Sequence, residues 1–153
     1  MAVVEESIVI PRPPEEVFGY VADAEHLPSW DNSIVEAGWD GPHEPSVGSR
    51  VHGTSKILGR RFHWVSEFTE VEPARLLRFQ SVDGPMRFVI TELLEPEDGG
   101  RATRFTWRVD ADPGLGGVFG RLADPLVERA QGRTVRNNLE TLAEILTEHE
   151  DER

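Results

Sequence analysis

The sequence contains no cysteine, so disulfide bonds, thiolate nucleophiles and cysteine metal ligands are excluded together. Long apolar runs are also missing, and none approaches the roughly 18 residues that a membrane-spanning helix needs. Residues 1–6 have neither the basic start nor the apolar stretch of a secretory signal. We therefore expect a cytoplasmic protein with no membrane span.

Positive charge is scarce, because 16 lysines and arginines face 28 aspartates and glutamates, which gives a net charge of -12. Most of such a surface would repel a nucleic acid, so we expect no nucleic-acid partner. Lysine occurs only at Lys56, and we give the preference for arginine no functional weight. A chain of 153 residues can build one substantial core, and residues 1–153 are expected to form a single domain.

The C-terminal region carries the clearest pattern of the chain. Apolar residues from Leu115 to Leu146 recur at steps of mostly three or four, which predicts one side of a helix. Pro125 interrupts this stripe and predicts a bend or a break in the helix. Glycines between Gly114 and Gly120 predict a flexible entry to the helix, because they do not follow the pattern of a nucleotide-binding loop. The apolar side must be covered, and a curved sheet upstream is the natural cover.

The rest of the chain predicts strands with one early helical interruption. A strand over 3–10 stops at a run of prolines, a short helix runs from Pro14 to about Ala22, and a second short helix ends at Pro28. Turn residues then separate further extended segments. The predicted strands that follow cover 33–39, 47–57, 60–71, 75–82, 86–94 and 101–110. The predicted order is strand, two short helices, six strands and a long helix.

Four segments carry a family resemblance: Val9–Phe18, Ala22–Asp23, Leu27–Trp30 and Asn138–Leu142. They resemble the START-like (SRPBCC) superfamily of the polyketide cyclase/dehydrase and lipid-transport type, over nearly the whole chain. The resemblance implies an α+β helix-grip fold (START/Bet v 1-like), with a curved antiparallel sheet of about seven strands around a long C-terminal helix. In this superfamily the region that matches Gly114–Gly120 often gates a cavity, so a lid is implied there. The superfamily includes cyclases, aromatic-ring oxygenase subunits, and hormone and lipid binders.

Alternation along the strands predicts which side chains face the interior. The inward set is rich in aromatic residues, which suit the wall of a cavity, and includes hydroxyl groups that could orient a ligand. The candidate ligand-binding residues are Trp30, Ser55, Phe62, Trp64, Ser66, Phe79, Ser81, Phe88, Phe105, Trp107, Phe119 and Leu122. Plain core packing explains the aromatic residues equally well, and the two interpretations are compatible.

Candidate catalytic and metal-binding residues are few. His52 and His63 lie diagonally on one face of a predicted hairpin, but that face is charged and no further ligand completes a site. We expect exposed histidines, no metal and no cofactor. Most carboxyl groups fall on polar faces or turns, and Glu67 and Glu92 are the mid-strand acids that we consider as acids or bases. No catalytic residue is assigned.

The sequence thus favours binding of a small hydrophobic or aromatic molecule, polyketide-like or lipid-like, between the sheet and the C-terminal helix. The resemblance implies one alternative, a polyketide cyclase, aromatase or dehydratase. A protein-interaction or chaperone-like module is a second alternative, although the outer face of the sheet is predicted to be charged rather than apolar. We expect a monomer or a weak homodimer.

Overall fold

A seven-stranded antiparallel sheet forms the body of the protein. The computed structural model describes residues 2–57, 59–111 and 125–151, with side chains described for 3–56, 59–111 and 133–147. The strands are β1 (Ala2–Ile10), β2 (Ile34–Asp40), β3 (Arg50–Ile57), β4 (Arg60–Glu72), β5 (Leu76–Asp83), β6 (Phe88–Glu97) and β7 (Ala102–Ala111). Their order across the sheet is β1-β7-β6-β5-β4-β3-β2, so β1 and β2 are the edges.

Helices connect the first two strands and end the described chain. They are α1 (Pro14–Val21), a 3-10 helix (Ala24–His26), α2 (Leu27–Trp30) and α3 (Pro125–Asp151). Pro14 stands at the start of α1, where its missing N–H is not needed, and the side chain of Asp23 caps the 3-10 helix by accepting from the backbone of Glu25. The predicted α+β helix-grip fold, with short helices after the first strand, is confirmed. Among the described helices, none combines the length and the apolar character that crossing a membrane requires.

Several predicted boundaries differ from the structure. The second short helix was predicted to end at Pro28, but α2 contains Pro28 in its first turn and runs to Trp30. Strand β6 spans Phe88–Glu97 rather than 86–94. Strand β3 begins at Arg50 rather than at residue 47, because Gly48 adopts a positive φ of 92° that an extended strand does not allow. The described part of helix α3 runs from Pro125 to Asp151, and the predicted bend or break at Pro125 stays a prediction. The predicted helical segment 115–123 and the predicted lid at 114–120 lie outside the described residues.

The inner face of the sheet and one side of α3 form the core. The buried helix residues are Val135, Asn138, Leu139, Leu142 and Leu146, on the side that the apolar stripe predicted. Among the described elements, α3 lies closest to β1 and α2. Of the candidate ligand-binding residues on the β3–β4 hairpin, Ser55, Trp64 and Ser66 are buried and Phe62 is partly buried. Thr54 alternates with Ser55 and is also buried, because Glu36 and His63 hydrogen-bond to its hydroxyl and cover it.

Candidate functional site

One cross-strand row of the inner face contains a carboxyl group. Glu92 on β6 lies in register with Leu77 on β5 and with Trp107 on β7. Trp30 from α2 packs on Trp107 with ring centroids 5.0 Å apart, and its edge meets Phe105 at 6.3 Å. Only 1% of Glu92 is exposed. Its carboxyl group therefore lies in an apolar and aromatic part of the interior.

Three polar atoms of this row and its neighbours have no hydrogen-bond partner among the described residues. They are Nε1 of Trp30, Nε1 of Trp107 and Oε2 of Glu92, and all three are buried. A buried polar atom without a partner costs about 1–3 kcal/mol, so folded proteins leave few of them. Their occurrence together marks this place as a candidate for ligand recognition.

A second buried carboxyl group lies beside this cluster. Asp31 follows α2 directly, and its Oδ1 accepts from the backbone N–H of Ser33 at 3.0 Å and from the Ser33 hydroxyl at 2.7 Å. The side-chain amide of Asn138 on α3 also donates to Oδ1, at 3.3 Å. Asn138 accepts in turn from the backbone N–H of Asn32 at 3.2 Å. The C-terminal helix is thereby tied to the loop between α2 and β2.

The two carboxyl groups differ in their ionisation. Burial raises the pKa of Glu92 to about 8, with a further contribution from the negative charge of Asp31. Burial also raises the pKa of Asp31, but the hydrogen bonds from Ser33 and Asn138 oppose this rise. Asp31 accepts three hydrogen bonds and Glu92 accepts none among the described residues, so Asp31 is the first of the two to ionise, and Glu92 keeps its proton near neutral pH. Glu92 is then a hydrogen-bond donor in a dry environment.

The next row of the inner face is less well covered. Phe79, Ile90 and Val109 are cross-strand neighbours on β5, β6 and β7, two residues along each strand from the Glu92 row. All three side chains face the interior, yet each is partly exposed. Residues at such positions in a filled core are buried. The inner face is therefore more completely covered at the Glu92 row than at the Ile90 row.

The structure brings the predicted ligand-binding residues into two groups. Trp30, Phe105 and Trp107 surround the Glu92 row at the end of the sheet near α2. The rings of Trp64 and Phe88 meet edge to face towards the other end of the sheet, with centroids 6.1 Å apart. Phe88 pairs there with the last residue of β7. Phe79 extends the second group, with its ring centroid 5.5 Å from that of Phe68 on β4. Phe62 is partly exposed. Phe119 and Leu122 lie outside the described residues.

Two of the three predicted serine hydroxyls already have partners within the protein. Ser55 accepts from the indole N–H of Trp64 at 2.9 Å. Ser81 accepts from the backbone N–H of Phe88 at 3.0 Å and so extends the pairing of β5 with β6. Ser66 is buried on the inner face. Contact of any of these residues with a ligand stays a prediction.

The sequence analysis did not include Asp31, Asn138 or Glu92 among the ligand-binding residues. Glu92 shares its strand face with Phe88 and Leu94, so alternation along β6 carried the signal that it points inward. No local pattern marks Asp31 and Asn138, because the two residues that meet are 107 positions apart.

The histidines of the β3–β4 hairpin lie on the outer face. His52 contacts Asp40 at the sheet edge, and His63 hydrogen-bonds to Thr54 at 2.8 Å. Both side chains are exposed. In the part of the chain that the structure describes, no group of three or more histidines and carboxylates is arranged to hold a metal ion.

Comparisons with known proteins agree with this architecture. The family model described as polyketide cyclase/dehydrase and lipid transport matches residues 1–147. The fold is similar to that of TTHA0849 from Thermus thermophilus, with a TM-score of 0.80 and 23% identity over 97% of this chain and 99% of that one. It is also similar to an aromatase/cyclase from a Streptomyces species, with a TM-score of 0.76 and 14% identity over 95% and 93% of the two chains.

A START superfamily protein from Mycobacterium smegmatis is a third similar structure, with a TM-score of 0.75 and 14% identity over 95% of this chain and 97% of that one. No curated protein sequence matches the chain significantly. At these identities the structural likenesses establish the fold, and the site must be interpreted from this chain's own residues.

Proposed function

Because the chain belongs to the polyketide cyclase/dehydrase and lipid-transport family, we propose that it binds a small hydrophobic molecule between the sheet and α3. One observation carries the proposal: Phe79, Ile90 and Val109 face the interior side by side and are still partly exposed. A ligand on this row removes apolar surface from water, which contributes about 25 cal/mol per Å². An aromatic or acyl compound, polyketide-like or lipid-like, fits such a wall.

The ligand-contacting residues follow from this placement. We assign the apolar part of the ligand to Phe79, Ile90 and Val109, with Phe62 and Phe88 further along the same face. Its polar end points towards Glu92 and the two tryptophans at positions 30 and 107, where unpartnered polar atoms are concentrated. The predicted contacts of residues 119 and 122 remain part of the proposal.

The test is a fluorescence titration with the neutral dye N-phenylnaphthylamine, together with native mass spectrometry of the purified protein. Ile90→Trp fills the proposed space. Val89→Trp is the matched control, because Val89 is the preceding residue of β6 and faces outward. We expect Ile90→Trp to weaken dye binding about tenfold or more and Val89→Trp to leave it within about twofold. If both variants bind the dye equally well at unchanged thermal stability, the dye binds elsewhere and the proposal is refuted.

An enzymatic function is the second candidate, because Glu92 keeps its proton near neutral pH. A general acid needs a protonated group at the working pH. In a dehydration of a β-hydroxy ketone, the Glu92 O–H would protonate the hydroxyl that leaves as water. The resulting carboxylate would then accept the proton lost from the neighbouring carbon, which restores the acid.

The enzymatic candidate is tested with the β-hydroxy ketone that dehydrates to benzylideneacetone, whose conjugated product absorbs in the ultraviolet. We expect Glu92→Gln to lose turnover and to retain binding, because the amide fits the same space but does not transfer a proton. Turnover that survives this substitution would exclude Glu92 as the acid. Absence of turnover in the wild-type protein, with dye binding intact, would leave binding as the function.

A further inference from the structure

The polar end of the proposed site offers hydrogen-bond donors rather than positive charge. The indole N–H groups of Trp30 and Trp107 are donors only, and both lack a partner among the described residues. Glu92 lies in register with Trp107. The rings of Trp30 and Trp107 meet edge to face, with centroids 5.0 Å apart. The three unpartnered polar groups thus belong to residues that are cross-strand neighbours or in ring contact.

A second buried carboxyl group, that of Asp31, acts on Glu92. Asp31 accepts hydrogen bonds from Ser33 and Asn138, and within the described residues neither Asp31 nor Glu92 forms a salt bridge. The negative charge of Asp31 helps to raise the pKa of Glu92, so the two groups interact electrostatically. A further negative charge brought to this place would be repelled and would find no counter-ion among the residues that the structure describes.

Another acid of this row, Glu6, is already paired with a cation. Glu6 on β1 pairs in register with Trp107 and forms a salt bridge of 3.2 Å with Arg136 on α3. Arg136 is 57% exposed, so this bridge lies at the surface of the helix side rather than in the interior. Arg136 is therefore engaged with Glu6.

We propose that Glu92, Trp30 and Trp107 select neutral ligands that carry a carbonyl oxygen and reject ligands that carry a carboxylate. The carbonyl oxygen accepts from the indole N–H groups and from the Glu92 O–H, while the carbon skeleton covers Ile90 and Val109. This inference rests on the proposed function and names the chemical class that the site binds.

The test uses three naphthalenes substituted at the same ring position: acetylnaphthalene, ethylnaphthalene and naphthoate. Each competes with N-phenylnaphthylamine near pH 7, where naphthoate is ionised and the others are neutral. The proteins are the wild type, Glu92→Gln, which keeps a neutral donor, Glu92→Leu, which removes it, and Asp31→Asn, which removes the negative charge. Circular dichroism and thermal denaturation verify that each variant is folded.

We expect the wild type to bind acetylnaphthalene about tenfold more tightly than naphthoate and about threefold more tightly than ethylnaphthalene. Glu92→Leu should abolish the advantage over ethylnaphthalene, Glu92→Gln should keep it, and Asp31→Asn should raise the affinity for naphthoate. The inference is overturned if naphthoate competes as well as the ketone, if the ketone fails to compete with bound dye, or if Glu92→Leu keeps the ketone preference. If the dye itself does not bind to the wild type, the proposed function fails and the inference falls with it.

Discussion

Asn138 of helix α3 donates a buried hydrogen bond of 3.3 Å to Asp31, which lies 107 positions earlier in the chain. The same amide accepts from the backbone N–H of Asn32 at 3.2 Å. A single side chain therefore fixes the C-terminal helix to the loop that carries the Asp31 carboxyl group of the site. Helix position and site electrostatics are coupled through this contact.

Replacing Asn138 should destabilise the fold. Asn138→Ala leaves Asp31 and the backbone of Asn32 each without one buried partner, so we expect the free energy of unfolding to fall by about 1–3 kcal/mol. Urea denaturation followed by tryptophan fluorescence measures this change. Asn137→Ala is the matched control on the exposed side of the same turn, with an expected effect of about 0.5 kcal/mol or less. Similar losses in both variants would argue against a role for the Asn138 hydrogen bonds.

The stability of the protein should decrease from acidic to mildly alkaline pH. The pKa of Glu92 rises from 4.5 to about 8 on folding, so the folded state holds a proton that the unfolded state releases. This contribution is fully present below pH 4.5 and is lost as the pH rises through about 8, by about 5 kcal/mol in total. The raised pKa of Asp31 acts in the same direction.

Glu92→Gln isolates this effect, because its amide has no proton to release. We expect the variant to match the wild type near pH 5 and to exceed it in stability near pH 8. Urea denaturation at several pH values checks the difference. Parallel stability profiles for the two proteins would mean that Glu92 does not carry the pH dependence.

Gly53 is required by its contact with Trp64. A Cβ at position 53 would lie 2.2 Å from Cζ2 of the Trp64 ring, which is itself held by Ser55 and Phe88. We expect Gly53→Ala to destabilise the protein by about 1–3 kcal/mol and to shift its tryptophan fluorescence, because the ring must move.

Gly19→Ala serves as the control for the Gly53 substitution. Gly19 is exposed in helix α1 and has open space around it, so alanine should stabilise the protein by about 0.5–1 kcal/mol. A Gly53→Ala variant as stable as the wild type would show that Trp64 moves at little cost.

Trp107→Phe should reduce ketone binding selectively. The substitution keeps most of the aromatic surface and removes one unpartnered indole N–H. We expect the affinity for acetylnaphthalene to fall about threefold, with ethylnaphthalene nearly unchanged. Trp39→Phe is the control, because the Trp39 indole N–H is used by Asp23 at 3.4 Å, outside the site. Equal losses for both ligands would indicate a packing role for Trp107 alone.

Much of the fold could be predicted from the sequence. Strand alternation placed Trp64, Phe105 and Trp107 on the inner face, and the apolar stripe identified the buried side of α3, because both patterns are periodic and local. The predicted start of β3 was wrong by a few residues, because Gly48 has a positive φ. Its backbone N–H donates to the carbonyl of Phe68, which is 20 positions away in the chain.

The candidate site was only partly predictable. Its aromatic wall follows from alternation, but the importance of Glu92 depends on how well Trp30 and Trp107 exclude water from it. The sequence analysis noted Glu92 as a mid-strand acid and had no means to separate it from Glu67, which pairs with Arg50 at the surface. Burial separates these two residues, and burial is a property of the whole fold.

The sequence by itself determined the order of the elements, the inward and outward faces of the strands and the family, because each depends on neighbouring residues or on short motifs. The tertiary structure alone decided that Asp31, Glu92 and Asn138 share one interior, and which carboxyl group keeps its proton. The reason is physical: hydrogen bonds and desolvation act between groups that are close in space, whatever their distance along the chain.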